Sequence, residues 1–127
     1  MKRIAKSELQ TKYGEWSEYH DKFIEKYPEF DKYRMLEDLL TGESVLWLDK
    51  KGFVIGRPNY YHNATMFLIE AAGGEDCEEW VDGLDTIEEE VRAWGFTTVE
   101  FYGRLGWRKR IHNKGYTPAK IVMRKEI

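Results

Sequence analysis

Phe101 to Tyr116, FYGRLGWRKRIHNKGY, carries five positive charges, three glycines and a tryptophan in sixteen positions. Such a stretch can cradle a phosphate, touch nucleic acid, face a partner protein, or form the amphipathic helix that closes a small α/β fold. Arg104 follows Gly103 at the end of a predicted strand, where open α/β sheets place their ligands. It can hold a phosphate, pair with Glu70 or Glu75, or anchor a partner's carboxylate. The other chemistry-bearing residues do not assemble into a motif. His20, His62 and His112 are far apart and share no spacing with serine or cysteine, so they read as surface or helix-face residues. The single cysteine, Cys77, falls on an apolar helix stripe and reads as a small buried hydrophobe. No disulfide, catalytic triad, paired-carboxylate motif or metal site follows from these positions.

The elements that must position these residues belong to a short chain. At 127 residues and 42% hydrophobic content it is expected to form one domain, residues 1–127, with one real core. An aromatic content of 15% is far above that of a disordered chain. The net charge of −3 argues against whole-surface attraction to nucleic acid or membrane, and leaves a local patch open. The opening MKRIAKSELQ lacks the apolar segment of a signal peptide, and no apolar run is long enough to span a bilayer. A soluble protein of a reducing compartment, the cytoplasm, is expected.

Residues 1–42 read as a helical part and 43–127 as a sheet with a central helix. Tyr13, Trp16, Tyr19/His20, Phe23 and Tyr27 recur at helical spacing, so one helix is expected over Ser7 to Tyr27, broken by Pro28. A second runs from Asp31 as N-cap to Gly42 as C-terminal stop. Val45–Leu48 and Phe53–Ile55 form a predicted hairpin about the turn Asp49–Gly52. Pro58 and Asn59 start another turn. ATMFLIEA, Ala64 to Ala71, reads as a central strand covered on both faces and ended by Gly73-Gly74. Cys77, Trp80, Val81, Leu84, Ile87, Val91 and Trp94 mark the stripe of a long helix stopped by Gly95. Thr97–Tyr102 follows through a helical crossover and should lie parallel to the central strand. A short helix over Leu105–Asn113, capped by Gly115, and a final strand over Ala119–Lys125 complete an α/β fold with a mixed sheet. In the short helix Trp107 and Ile111 face the sheet, and Lys109 and Arg110 point outward.

This order, with the Gly-aromatic pair in IHNKGYTPAKIVMRKEI, is similar to the GNAT N-acetyltransferase fold, a twisted mixed sheet with helices on both faces. LEDLL-x-G, the LW strand, AAGGEDCEEW and GRLGWRKR make Tyr33 to Ile127 resemble small GNAT-like proteins of tailed bacteriophages and prophages. Some proteins of that group are linked to virion assembly, and many carry an acetyltransferase label through fold alone.

The resemblance implies a test of the residues. An active enzyme of this type receives the acetyl-CoA pyrophosphate on backbone N–H groups at the turn into the central helix. Here that turn is Ala72, Gly73 and Gly74, with Arg104 and Arg108 as phosphate partners, but the usual Q/R-x-x-G-x-G/A spacing is absent. Between Glu75 and Glu90 stand nine acidic residues and no basic one, a field that opposes the cofactor. Glu70 is the candidate base and Tyr102 the candidate acid. Ile111 stands four residues before Gly115, where the family often carries a tyrosine. The expected function is therefore a non-catalytic, virion-associated or other binding protein with a degenerate acyl-CoA site; the alternative is a CoA-dependent N-acetyltransferase acting on an amine. No cofactor is expected in the first case and acetyl-CoA in the second. The expected partner is a protein, a phage virion component or a host factor, met through Arg104, Lys109, Arg110 and Lys114. Eight basic residues and one acidic residue from Arg104 onward, against the acidic central helix, also suggest a homo-oligomer. Nucleic acid, membrane and metal are not expected.

Overall fold

A computed structural model describes residues 1–75, 81–103 and 105–127. Expectations that fall on residues 76–80 and on Arg104, including the helix stripe at Cys77 and Trp80, lie outside the described residues.

The N-terminal part differs from one continuous helix. After the two-residue strand β1 (Lys2–Arg3) the chain makes a 3₁₀ turn, the single helical turn α1 (Leu9–Lys12) and another 3₁₀ turn before α2 (Ser17–Lys26). The break falls at Trp16, whose backbone leaves the helical region between the second 3₁₀ turn and α2, and the Tyr13 hydroxyl lies beside His20. The second helix, α3 (Lys32–Thr41), has the expected ends. Asp31 Oδ1 accepts the backbone N–H of Arg34 at 2.9 Å, and Gly42 stops the helix at φ 81°.

Strands β2 (Val45–Asp49), β3 (Gly52–Tyr60), β4 (Thr65–Gly74) and β5 (Val99–Phe101) join β1 in a five-stranded sheet of order β1-β2-β3-β4-β5. All neighbours are antiparallel except β4 and β5, which are parallel as the crossover requires. Two strands outrun the expected limits. β3 continues through Pro58 and Asn59, because β2 pairs only as far as Gly56 and the N–H that proline lacks is not needed there. β4 continues through Gly73 and Gly74. Gly74 sits at φ 148°, and a Cβ there would collide with the Lys51 carbonyl oxygen.

The crossover contains a 3₁₀ turn, Val81–Gly83, and helix α4 (Leu84–Ala93); Gly95 follows at φ 100°. Helix α5 (Leu105–His112) closes the fold. The expected last strand over 119–125 is absent, and residues 117–127 are neither helix nor strand. Among the described residues no helix is long and apolar enough to cross a membrane.

Two cores sandwich the sheet. Trp16, Phe23, Met35 and Leu39 of the N-terminal part pack on Leu46, Phe53, Ile55 and Ala71. On the other side Leu84, Ile87 and Val91 of α4 and Ile111 of α5 pack on Trp47, Val54, Phe67 and Ile69. β4 feeds both because its register slips by one: Ile55 faces Ala71 while Gly56 faces Ile69, leaving Glu70 as the extra residue of a β-bulge.

Candidate functional site

The bulge coincides with a fork between strands. β5 pairs with β4 at Phe67, Leu68 and Ile69, and the Tyr102 N–H donates to the Ile69 carbonyl at 3.0 Å. β4 then runs on beside β3 to Gly74, while β5 has ended. A parallel pair that opens in this way exposes backbone groups at the carboxyl ends of its strands, where open α/β sheets bind ligands. Glu70 stands at the opening and Tyr102 across from it; Tyr102 is exposed.

Glu70 is shielded, with its side chain 15% exposed, and one carboxylate oxygen lies 3.6 Å from Arg57 Nε. Arg57 also reaches Asp38 of α3, Nη2 to Oδ2, at 2.7 Å. Arg57 Nε itself makes no hydrogen bond among the described residues, so the contact with Glu70 is a charge contact. Burial raises the Glu70 carboxyl above the usual range, the Arg57 charge opposes that, and the Asp38 charge adds to it. A carboxylate raised in this way is a better proton acceptor than a free one. Arg57 is the residue that sequence reasoning missed. It lies thirteen positions before Glu70, and only the β3–β4 register brings the two together.

Ala72, Gly73 and Gly74 lie inside β4 rather than in a turn after it. Arg108, Lys109 and Arg110 are exposed on α5, and Arg110 caps the Trp107 ring at 5.7 Å. Trp107 and Ile111 face the sheet as expected, and Ile111 is buried. Lys114 is turned onto the start of α4 and the 3₁₀ turn before it, 2.9 Å from Asp82 and 3.3 Å from Asp85. The Tyr116 hydroxyl donates to Glu88 at 3.1 Å, and Trp47 Nε1 donates to Glu90 at 2.7 Å with Arg3 3.8 Å away. Part of the acidic crossover is thus met from within the chain.

The histidines separate. His62 and His112 are exposed, whereas His20, expected on a surface or helix face, is fully buried. It stacks on Trp16 with centroids 4.8 Å apart, and its Nδ1 lies 2.9 Å from the Tyr13 hydroxyl. Nε2 has no partner among the described residues. Burial, with Lys32 nearby and Asp21 opposing, lowers its pKa to about 4. It is a core residue.

Parallel strands forking beside a bulge, under an α4 crossover and a closing helix, define a GNAT-like mixed α/β fold. Solved structures share it. The BH1408 protein of Bacillus halodurans, as a tetramutant, superposes with TM-score 0.64 at 8% identity over 99% of this chain and 98% of that one. A possible acetyltransferase from Clostridium difficile 630 gives 0.61 at 7% identity, covering 99% and 95%. The wild-type TTHA1254 protein of Thermus thermophilus gives 0.55 at 16% identity, covering 72% and 76%. At these identities the likeness is one of fold. No family model and no curated protein matches the sequence.

Proposed function

We propose that the protein is a non-catalytic binding module on a GNAT-like scaffold, of the phage type, which docks on a virion component or a host protein. The side chain at position 111 carries this reading. Where the family often presents a tyrosine to the departing thiolate, Ile111 is buried at 7% exposure among Trp47, Phe67 and the apolar face of α4. The shielded carboxylate at the fork is occupied by Arg57 as well. Lys109 and Arg110, exposed on α5, supply a basic face for an acidic partner surface. Calorimetry with acetyl-CoA at modest salt tests the proposal. The expected result is no heat at millimolar ligand, together with capture of a partner that is lost in Lys109→Glu/Arg110→Glu.

A second reading, a CoA-dependent N-acetyltransferase, is favoured by the fork itself and by the raised Glu70 carboxyl. On that reading Glu70 takes the proton of an acceptor amine, and the free edge of β4 together with Arg104 and Arg108 holds the cofactor. Micromolar acetyl-CoA binding that Arg104→Ala or Arg108→Ala weakens would establish it over the first.

A further inference from the structure

The tail, expected to hold a final strand, instead crosses the outer edge of β5. Tyr116 lies on the α4 side, its ring 6.3 Å from Phe101 and its hydroxyl on Glu88. Four residues later Lys120 is on the opposite side, at Glu100 and Tyr61. Successive residues of a strand point to opposite faces, so Phe101 and Glu100 mark the two sides of β5 and the chain between passes over its outer edge.

Lys120 Nζ meets a hydrogen-bonded set of groups. It donates to the Tyr61 hydroxyl at 2.9 Å, lies 4.8 Å from the centre of the ring, and is 3.8 Å from Glu100 Oε2. Tyr61 donates to Glu100 Oε1 at 2.6 Å, and Asn59 Nδ2 donates to the same hydroxyl at 3.2 Å. The phenol proton is therefore committed to the carboxylate, and the oxygen offers its lone pairs to incoming N–H groups. The host groups stand on β3, β5 and the β3–β4 turn, with Glu100 only 15% exposed; the guest lysine is 53% exposed on a tail without secondary structure.

We propose that Tyr61 and Glu100 form a binding site for a primary alkylammonium, and that Lys120 is its resident, displaceable occupant. One oxygen of Glu100 is taken by Tyr61, so the two-pronged fork of a guanidinium finds half its partner missing, while a compact ammonium needs only one oxygen and a ring. A second tether of the tail, Arg124 to Glu29 at 3.1 Å, is an exposed ion pair of the kind that contributes little, so it adds little to the cost of releasing the segment. The guest from outside is a free amine or the lysine of a peptide, which share this chemistry. The site stands whether or not the fork performs acyl transfer.

The test is a calorimetric and NMR titration of full-length wild type and Lys120→Ala with n-pentylamine, with pentanol as the uncharged control. A tethered guest that fills the site nine-tenths of the time weakens an outside ligand about tenfold. Lys120→Ala is therefore expected to bind pentylamine about tenfold more tightly than wild type, to move the Tyr61 ring resonances, and to ignore pentanol. Adding Glu100→Gln should remove the binding. An acetylated AKIVMR peptide compared with the free amine distinguishes the two sources: tighter peptide binding assigns the site to a protein tail, and equal or weaker binding to a small amine. Lys120→Ala binding no better than wild type, or binding that survives Glu100→Gln, overturns the proposal.

Discussion

Acid should destabilise this protein through His20 as well as through its carboxylates. The imidazole is fully buried between Trp16 and Phe53, with Nε2 lacking a partner among the described residues and Tyr13, Lys32 and Asp21 as its polar neighbours. Its pKa falls from 6.5 to about 4 on folding. A lowered folded value means that the unfolded chain takes up the proton first. Stability is intact above about pH 6.5, declines as the pH falls, and stops declining through this group near pH 4. At about 1.36 kcal/mol per tenfold change in proton concentration the loss reaches at most about 3 kcal/mol. That is a large share of the roughly 5–15 kcal/mol that holds a domain together. Glu70 works the other way, because its raised carboxyl binds a proton more readily when folded, so the contribution of His20 has to be isolated by difference. Urea unfolding of wild type and His20→Phe between pH 7.5 and 4.5 does this. The wild-type curve should fall more steeply by about 2–3 kcal/mol over that range. Parallel curves, or an ordinary titration of the His20 ring by NMR, would refute the reasoning.

Three further outcomes follow from the packing. Gly74→Ala should lower stability by about 3 kcal/mol or prevent folding, since its backbone is at positive φ and a Cβ meets the Lys51 carbonyl; the urea midpoint reads this. Ile111→Tyr should cost about 1–3 kcal/mol by overfilling the core, and should not create acetyltransferase activity in a thiol-release assay. Trp47→Phe, which removes the indole donor to Glu90 from a fully buried site, should cost about 2 kcal/mol, measured by thermal unfolding.

Much of the architecture was legible because it rests on local rules. The Asp31 cap, the Gly42 stop, the hairpin at Asp49–Gly52 and the uninterrupted apolar run of β4 each follow from a few neighbouring residues. The errors arise where distant parts decide. Pro58 reads as a turn unless β2 is known to stop opposite Gly56. Ala119–Lys125 has strand propensity, yet the outer edge of β5 is three residues long and the chain crosses it. At the site, Glu70 could be singled out by its place after an apolar run, but its partner Arg57 could not, since register alone pairs them. Tyr19 and His20 both fit the helical spacing, and His20 is the one that goes fully inside, stacked on Trp16 and edge-on to Phe53.

The slip at Glu70 separates what the sheet needs from what the site needs. Gly56 pairs with Ile69 and Ile55 with Ala71, so the ladder is complete without the residue between them. β4 carries one amino acid that has no partner in the β3 register, and that amino acid is the shielded carboxylate at the fork. Excising Glu70 would join Ile69 directly to Ala71 and leave both cores with their present side chains. The scaffold can therefore gain or shed its most chemically distinctive group by a single-codon insertion or deletion, with the hydrophobic layers on either side unchanged.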